Sequence, residues 1–399
     1  MNSRLSQGAE SEATVRPARR YDIDWLRILA MLAIFLFHSN RFFDEFGWHL
    51  KNADQSIVSS MFTGLLDMWL MPLFFLLSGA GSWYALRFRS GGQYLFDRVK
   101  RLLVPLYTVG IFIILLPQVY FDVVTNKGYT GTFWEWTPLY LGSIPDRFYA
   151  SPFFFNIFYG HLWFLQFLFL ISLVTLPLLM YLKSQAGQKL IKRLATWCSR
   201  WGGVFLFLIP LILVRIGLRS FFAGEHTWAD FVYYAVFFLI GYIMPADNRF
   251  TDSFKRYGWV CLALGIVGWG GAGLFVLELG YPYPGAESFS LMFVLFQTIM
   301  SIANWSWVVF ILSLGAKYLN FNNKVVTYGN DAVLPFYVLH QTIILVVGWF
   351  VIQWSIGIAP KYLAITTTSF IAIMAIYELL VRRINVLRFL FGMRPRTKR

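Results

Sequence analysis

Ten apolar runs, separated by shorter polar or basic stretches, organise the chain. They fall near residues 24–43, 62–86, 101–121, 160–182, 202–219, 229–245, 257–278, 289–315, 331–354 and 362–381. Each holds about 17 residues or more, enough for a helix rising about 1.5 Å per residue to cross about 30 Å of hydrocarbon. Lipid offers the backbone no partners, so each crossing must be helical. The pattern predicts an all-α integral membrane protein with about ten transmembrane helices in one bundle, spanning residues 21–381. Residues 1–20 are polar and rich in Ser, Arg, Pro and Glu, which reads as a disordered cytoplasmic segment. They contain no short apolar core ahead of a small-residue cleavage site, so the first apolar run reads as a retained span. Residues 382–399 read as a basic cytoplasmic tail. No repeat and no inverted-half symmetry of the transporter kind is visible.

Composition agrees. Hydrophobic residues make up 58% of the 399 and charged residues 14%, against about 45–50% and 25% for soluble domains. The net charge of +14 is open to two readings, a nucleic-acid surface or cytoplasmic loops of a membrane protein. The distribution decides. With the N-terminus inside, 26 of the 34 Lys and Arg fall in inner loops and tails. Only Arg41, Lys51, Lys127, Arg147, Arg215, Arg219 and Lys361 fall on the opposite side, with Arg27 at the inner end of the first run. That asymmetry predicts both termini cytoplasmic and needs no nucleic acid. Cys198 and Cys261 stand in no metal-ligand or CxxC spacing, so neither a metal site nor a disulfide is expected.

Ionisable side chains inside apolar runs are costly and mark candidate chemistry. The first run carries Arg27 and His38, eleven residues apart. Eleven steps of about 100° bring them to one helical face, about 16 Å apart along the axis. A histidine at that depth can take a proton from a hydroxyl. An arginine can hold a phosphate or carboxylate in two-pronged fashion. The plainer reading is a snorkelling arginine and a structural histidine. Asp24, three residues before Arg27, would orient its guanidinium or favour the helix N-terminus. Asp67 in the second run would lie near the depth of His38 and either orient the imidazole or face water. Ser78 and Gly79 allow close helix approach. Arg98 and Arg101, three apart at the inner mouth of the third run, form a same-face basic pair suited to phosphates, though ordinary positive-inside charge would look the same.

His161, His340, Arg215 and Glu278 add further polar groups at outer depths. Together they imply a cavity opening outward, with His161, His340 and Arg215 as candidate stabilisers of a developing oxyanion. The outer stretch from Asp122 to Tyr159 is rich in aromatics, Pro and Gly, which reads as an interfacial belt or a sugar-binding lip.

In combination, Arg27-x10-His38, PLFFLLSG in the second run, Arg98-x-x-Arg101 and PFYVLHQ near the end resemble acyltransferase family 3. The FH…WHLKN and GHLWFLQF stretches resemble its glucan biosynthesis protein C branch most. The resemblance covers about residues 20–380. It implies a ten-helix bundle that takes an acyl group from cytoplasmic acyl-CoA, acetyl-CoA or succinyl-CoA, as donor substrate, with no permanently bound cofactor. The group would pass to a hydroxyl of an extracytoplasmic carbohydrate, with succinylation of periplasmic glucans associated with the branch, in a bacterial inner membrane. His38 matches the family's catalytic histidine and Arg27 its motif arginine. Arg98 and Arg101 match the pair thought to engage the donor's phosphates, and Ser78 and Gly79 its second-span signature. The competing expectation is a transporter of an anionic solute or glycan precursor, which the same arginines and buried polar groups would serve.

Overall fold

The computed structural model describes residues 19–150, 160–280 and 288–396, and of residues 145–150 the backbone alone. Among the described residues the chain is helical, with no strand. In order run α1 (Tyr21–Asn40), α2 (Ile57–Asp67), α3 (Leu70–Arg87), α4 (Gly91–Arg98), α5 (Leu115–Asn126), α6 (Phe133–Ala150), α7 (Trp163–Lys183) and α8 (Gln185–Cys198). There follow α9 (Leu208–Arg219), α10 (Trp228–Ile243), α11 (Asn248–Leu277), α12 (Leu291–Tyr318), α13 (Lys324–Val351), α14 (Ile358–Ile376) and α15 (Asn385–Leu390). The predicted disordered segment 1–20 lies almost wholly outside the described residues.

Among the described residues, eight helical stretches are long and apolar enough to cross a membrane: Ile57–Arg87, Gly91–Asn126, Trp163–Lys183, Trp228–Ala246, Asn248–Leu277, Leu291–Tyr318, Lys324–Val351 and Ile358–Val381. The expected count was ten. The two that fall outside this standard are α1 and α9. Only 12 residues form α9. The 20 residues of α1 include Asp22, Asp24, Arg27 and His38. This helix packs against α2, α3, α12, α13 and α14, so its polar side chains meet protein groups rather than lipid.

Small residues let the helices approach closely. Gly79 of α3 and Gly241 of α10 sit against each other's backbone; a Cβ on either would lie 1.9 Å from the carbonyl oxygen of Phe238 or Leu76 respectively. The antiparallel pair α11 and α12 meets where Gly258, Gly265 and Gly268 face Ser313, Trp307 and Ala303. In membranes such contacts supply much of the packing energy. Gly79→Ala should therefore lower the thermal midpoint of the purified protein, as should Gly241→Ala, because overpacking costs about 1–3 kcal/mol. Unchanged unfolding in both variants would mean the two helices pack less tightly.

Between α4 and α5 the chain winds as π-helix over Val99–Leu103 and Leu106–Ile114, on either side of Pro105. Proline has no N–H to give to the ladder, and π-turns recur at functional sites. Arg101 lies in the first of them. The segment after α7 forms α8, whose buried Gly187, Ile191, Ala195 and Cys198 repeat at helical spacing, leaving Lys189, Lys192 and Trp197 exposed as in an interfacial helix. The basic segment after residue 381 is folded as far as Arg396. Gly392 turns it with φ +71°, and a Cβ there would lie 2.7 Å from the Arg101 carbonyl. The outer aromatic stretch contains α6, begun by Thr132, whose N–H donates to Glu135 at 2.7 Å. Residues 151–159 of that stretch lie outside the described residues.

Candidate active site

Two cavities lie along α1, one toward each end. The smaller, about 220 Å³, is lined by Arg27, Arg89, Arg98 and Arg101, with Asp97 as the only carboxylate among the described residues of its lining and Ser78, Tyr94 and Asn330 among its polar groups. Arg98 is held by its donation to Ser82 Oγ at 2.6 Å and by the Tyr94 ring, 5.1 Å from the guanidinium carbon. Ser82 in turn bonds the Tyr94 hydroxyl at 2.9 Å. Arg27 reaches Asp24 Oδ1 and Asn330 Oδ1, both at 3.4 Å. Asp24 is shared with Arg19 at 2.8 Å. Arg89 pairs with Asp97 at 3.0 Å. Arg101 is exposed. Several guanidiniums converging on one narrow cavity fit a polyanion such as a chain of phosphates.

The larger cavity, about 790 Å³, is lined by His38, Arg41, Trp48, His49, Asp67, His161, Trp163, Arg215, Asp230, Tyr233, Asn304 and Gln341, among others. It combines aromatic faces with hydrogen-bonding groups of both signs, a lining suited to a neutral polyhydroxyl ligand. Arg41 is tied to Asp44 at 2.7 Å and Arg219 to Asp230. The two cavities share Ile34, Met71 and Tyr337 as wall residues. Arg27 faces one and His38 the other, as expected for two groups on one face of α1.

His38 stands in a cluster of three imidazoles from α1, α13 and the turn opening α7. Ring centroids lie 4.9 Å apart for His38 and His340, 4.7 Å for His161 and His340, and 6.5 Å for His38 and His161. His340 Nε2 is 2.9 Å from His38 Nδ1, and His340 Nδ1 is 2.6 Å from the Tyr337 carbonyl. His161 Nε2 lies 2.9 Å from the same carbonyl, and the Tyr337 hydroxyl donates to the carbonyl of His161. Gln118 Nε2 is 3.2 Å from His161 Nδ1 and donates to Thr342 Oγ1 at 2.7 Å. Trp48 lies nearly parallel to the His38 ring, 6.3 Å away. Outside the spans, burial lowers the His49 imidazole below its ordinary value; neutral His49 accepts from Gln341 Nε2 at 3.2 Å.

Several expectations change. Asp67 faces the large cavity and shows no hydrogen bond to His38; the side chain bonded to the imidazole is that of His340. Both ring nitrogens of His340, and both of His161, are engaged by neighbours, so neither is free to stabilise an oxyanion. Arg215 lines the large cavity with Nε donating to Gln297 Oε1 at 2.9 Å. Gly79 is buried against α10 and does not line the arginine cavity, whereas Ser78 does. Glu278 caps α11 and lines neither cavity. The reading of single residues missed Trp48, Gln118, Arg89, Asp97 and Asn330. Gln118, an amide inside an apolar run, was the one signal available, because a buried amide needs partners.

The site thus sets an arginine and a histidine on one face of α1, with a basic cavity toward one and a polar, aromatic cavity toward the other. The model of the acyltransferase 3 domain matches residues 20–378. The chain belongs to this acyltransferase family. It is 23% identical over 340 residues to the glucans biosynthesis protein C of Salmonella paratyphi A (strain ATCC 9150 / SARB42), covering 82% of each chain. It is 24% identical over 337 residues to the protein of that name from Escherichia coli (strain SMS-3-5 / SECEC), covering 80% of this chain and 81% of the other. No solved structure matches it. The protein is thus a multi-pass membrane acyltransferase.

Proposed function

We propose that this acyltransferase moves an acetyl or succinyl group from cytoplasmic acyl-CoA to a hydroxyl of an extracytoplasmic glycan, in a bacterial inner membrane that it crosses ten times with both termini inside. The observation that carries this reading is the pair of unlike cavities sharing the wall of Ile34, Met71 and Tyr337. The 26-to-7 division of Lys and Arg supports the orientation, and the names of the relatives support a glucan as acceptor.

In this reading Arg98, Arg101 and Arg27 bind the donor's phosphates from the cytoplasm, with Ser78 and Arg89 beside them. The thin pantetheine arm extends along α1 and brings the thioester carbonyl toward His38. The glycan enters the large cavity, where Trp48 and Trp163 offer flat faces and Asp67 and Arg215 offer hydrogen bonds. His38 removes the proton of the attacking hydroxyl as oxygen bonds the carbonyl carbon and the thiolate leaves.

The test is turnover of labelled acetyl-CoA and succinyl-CoA by the purified protein in liposomes with periplasmic glucan as acceptor. Label recovered in the glycan would support the reading and identify the acyl group. Folded protein that transfers from neither donor would overturn it. Trp48→Ala should raise the acceptor KM by about three- to tenfold, since one aromatic face in such a contact is worth about 0.5–1.5 kcal/mol. An unchanged acceptor KM would remove Trp48 from the acceptor site.

A further inference from the structure

Two hydrogen-bond distances determine which nitrogen of His38 holds its proton. The Tyr337 carbonyl can only accept, so His340 Nδ1, 2.6 Å away, must carry a hydrogen. In a neutral ring the other nitrogen, Nε2, is then bare. It lies 2.9 Å from His38 Nδ1, so that nitrogen must be the donor. His38 Nε2 is left with a free lone pair. A doubly protonated His340 would reverse the assignment. It would also place a charge on a fully enclosed ring that bonds no carboxylate among the described residues, which is costly.

We propose that His340 is a positioning residue that fixes His38 in the Nδ1–H tautomer, so that Nε2 is the nitrogen presented to the acceptor hydroxyl. The proposal rests on the reading of His38 as the base. His161 serves the same end one step back. Its Nε2 donates to the same Tyr337 carbonyl, and the Tyr337 hydroxyl returns a bond to the His161 carbonyl. The anchor of the dyad is thus tied both to α13 and to the turn that opens α7. Trp48, nearly parallel to the His38 ring, limits its rotation from the other side.

The arrangement differs from a histidine held by a carboxylate, where an anion also stabilises the imidazolium. Here the partner is a neutral ring, which sets the tautomer without a counter-charge. The proton balance follows. As the acceptor oxygen bonds the acyl carbon and the C–S bond breaks, the hydroxyl proton moves to His38 Nε2. The same proton then passes to the departing thiolate sulfur, giving the free thiol. His38 returns to its Nδ1–H form, and His340 neither gains nor loses a proton.

The test combines a tautomer measurement with kinetics on the full-length protein in detergent. With 15N-labelled histidine, side-chain NMR should show His38 protonated on Nδ1 in the wild type, assigned by its loss in His38→Ala. His340→Leu removes the acceptor and should lower kcat by at least about 10²-fold, short of the about 10⁴-fold lost where a carboxylate sets the tautomer, with donor and acceptor KM within about twofold. His340→Gln keeps an acceptor oxygen and should recover at least about tenfold of that loss. A wild-type His38 protonated on Nε2 would overturn the proposal, as would equal kcat losses in the Leu and Gln variants or an effect confined to KM. Transfer retained by His38→Ala would sink the base reading itself, and this failure is distinguishable because the wild-type tautomer is read without turnover.

Discussion

Alanine in place of His38 should lower acyl transfer by about 10²–10⁴-fold, the usual contribution of a positioned general base. The hydroxyl of a sugar is a poor nucleophile until its proton has somewhere to go. His38 lines the large cavity beside the wall shared with the arginine cavity, and its Nδ1 is engaged by His340 Nε2 at 2.9 Å. The loss should fall on kcat, with the donor KM little changed, because the phosphates would be held about 16 Å away at the other end of α1. The variant should fold, since the ring sits at the edge of a cavity and its removal strands only His340 Nε2. The measurement is single-turnover transfer of label by the purified variant, beside its elution on gel filtration. Transfer at wild-type rate would remove His38 as the base.

Neutralising Arg98 and Arg101 together should raise the donor KM by about 10²-fold or more while leaving kcat within a few-fold. Hydrogen bonds to charged groups contribute about 1.5–3 kcal/mol each, and two are lost. Arg98 is pre-positioned by Ser82 and Tyr94, so little ordering is needed when an anion arrives. Arg101 is exposed at the same cavity. The effect should shrink as salt rises, because part of the attraction is screened. A donor KM equal to wild type at low salt would eliminate the phosphate role. A fall in kcat alone would instead tie the pair to the π-helical turns around Pro105 and to the shape of the bundle.

The sequence by itself determined the class of the protein and the ends of its chemistry. Apolar runs long enough to cross a membrane can be nothing but helices there, because lipid leaves the backbone no other partners. The eleven-residue spacing put Arg27 and His38 on one face of one helix, since helical geometry within a single element is a local property. The same locality made Arg98 and Arg101 legible as a pair. What the tertiary structure decided is everything that depends on two helices meeting. His340 is 302 residues from His38 along the chain, and no periodicity reports which buried histidine will face which. Asp67, from its depth alone, was as good an orienting partner for His38 as any; packing turned it to the cavity and gave that place to His340. Gly79 was legible as small but not as the residue whose missing side chain lets α10 touch α3. The polar groups of α1 set it apart from the eight apolar stretches, and the helices packed around it explain why it can carry them. Local spacing is written in the order of residues, whereas partnership across the bundle follows from which surfaces fit, and that is settled only when all the helices pack at once.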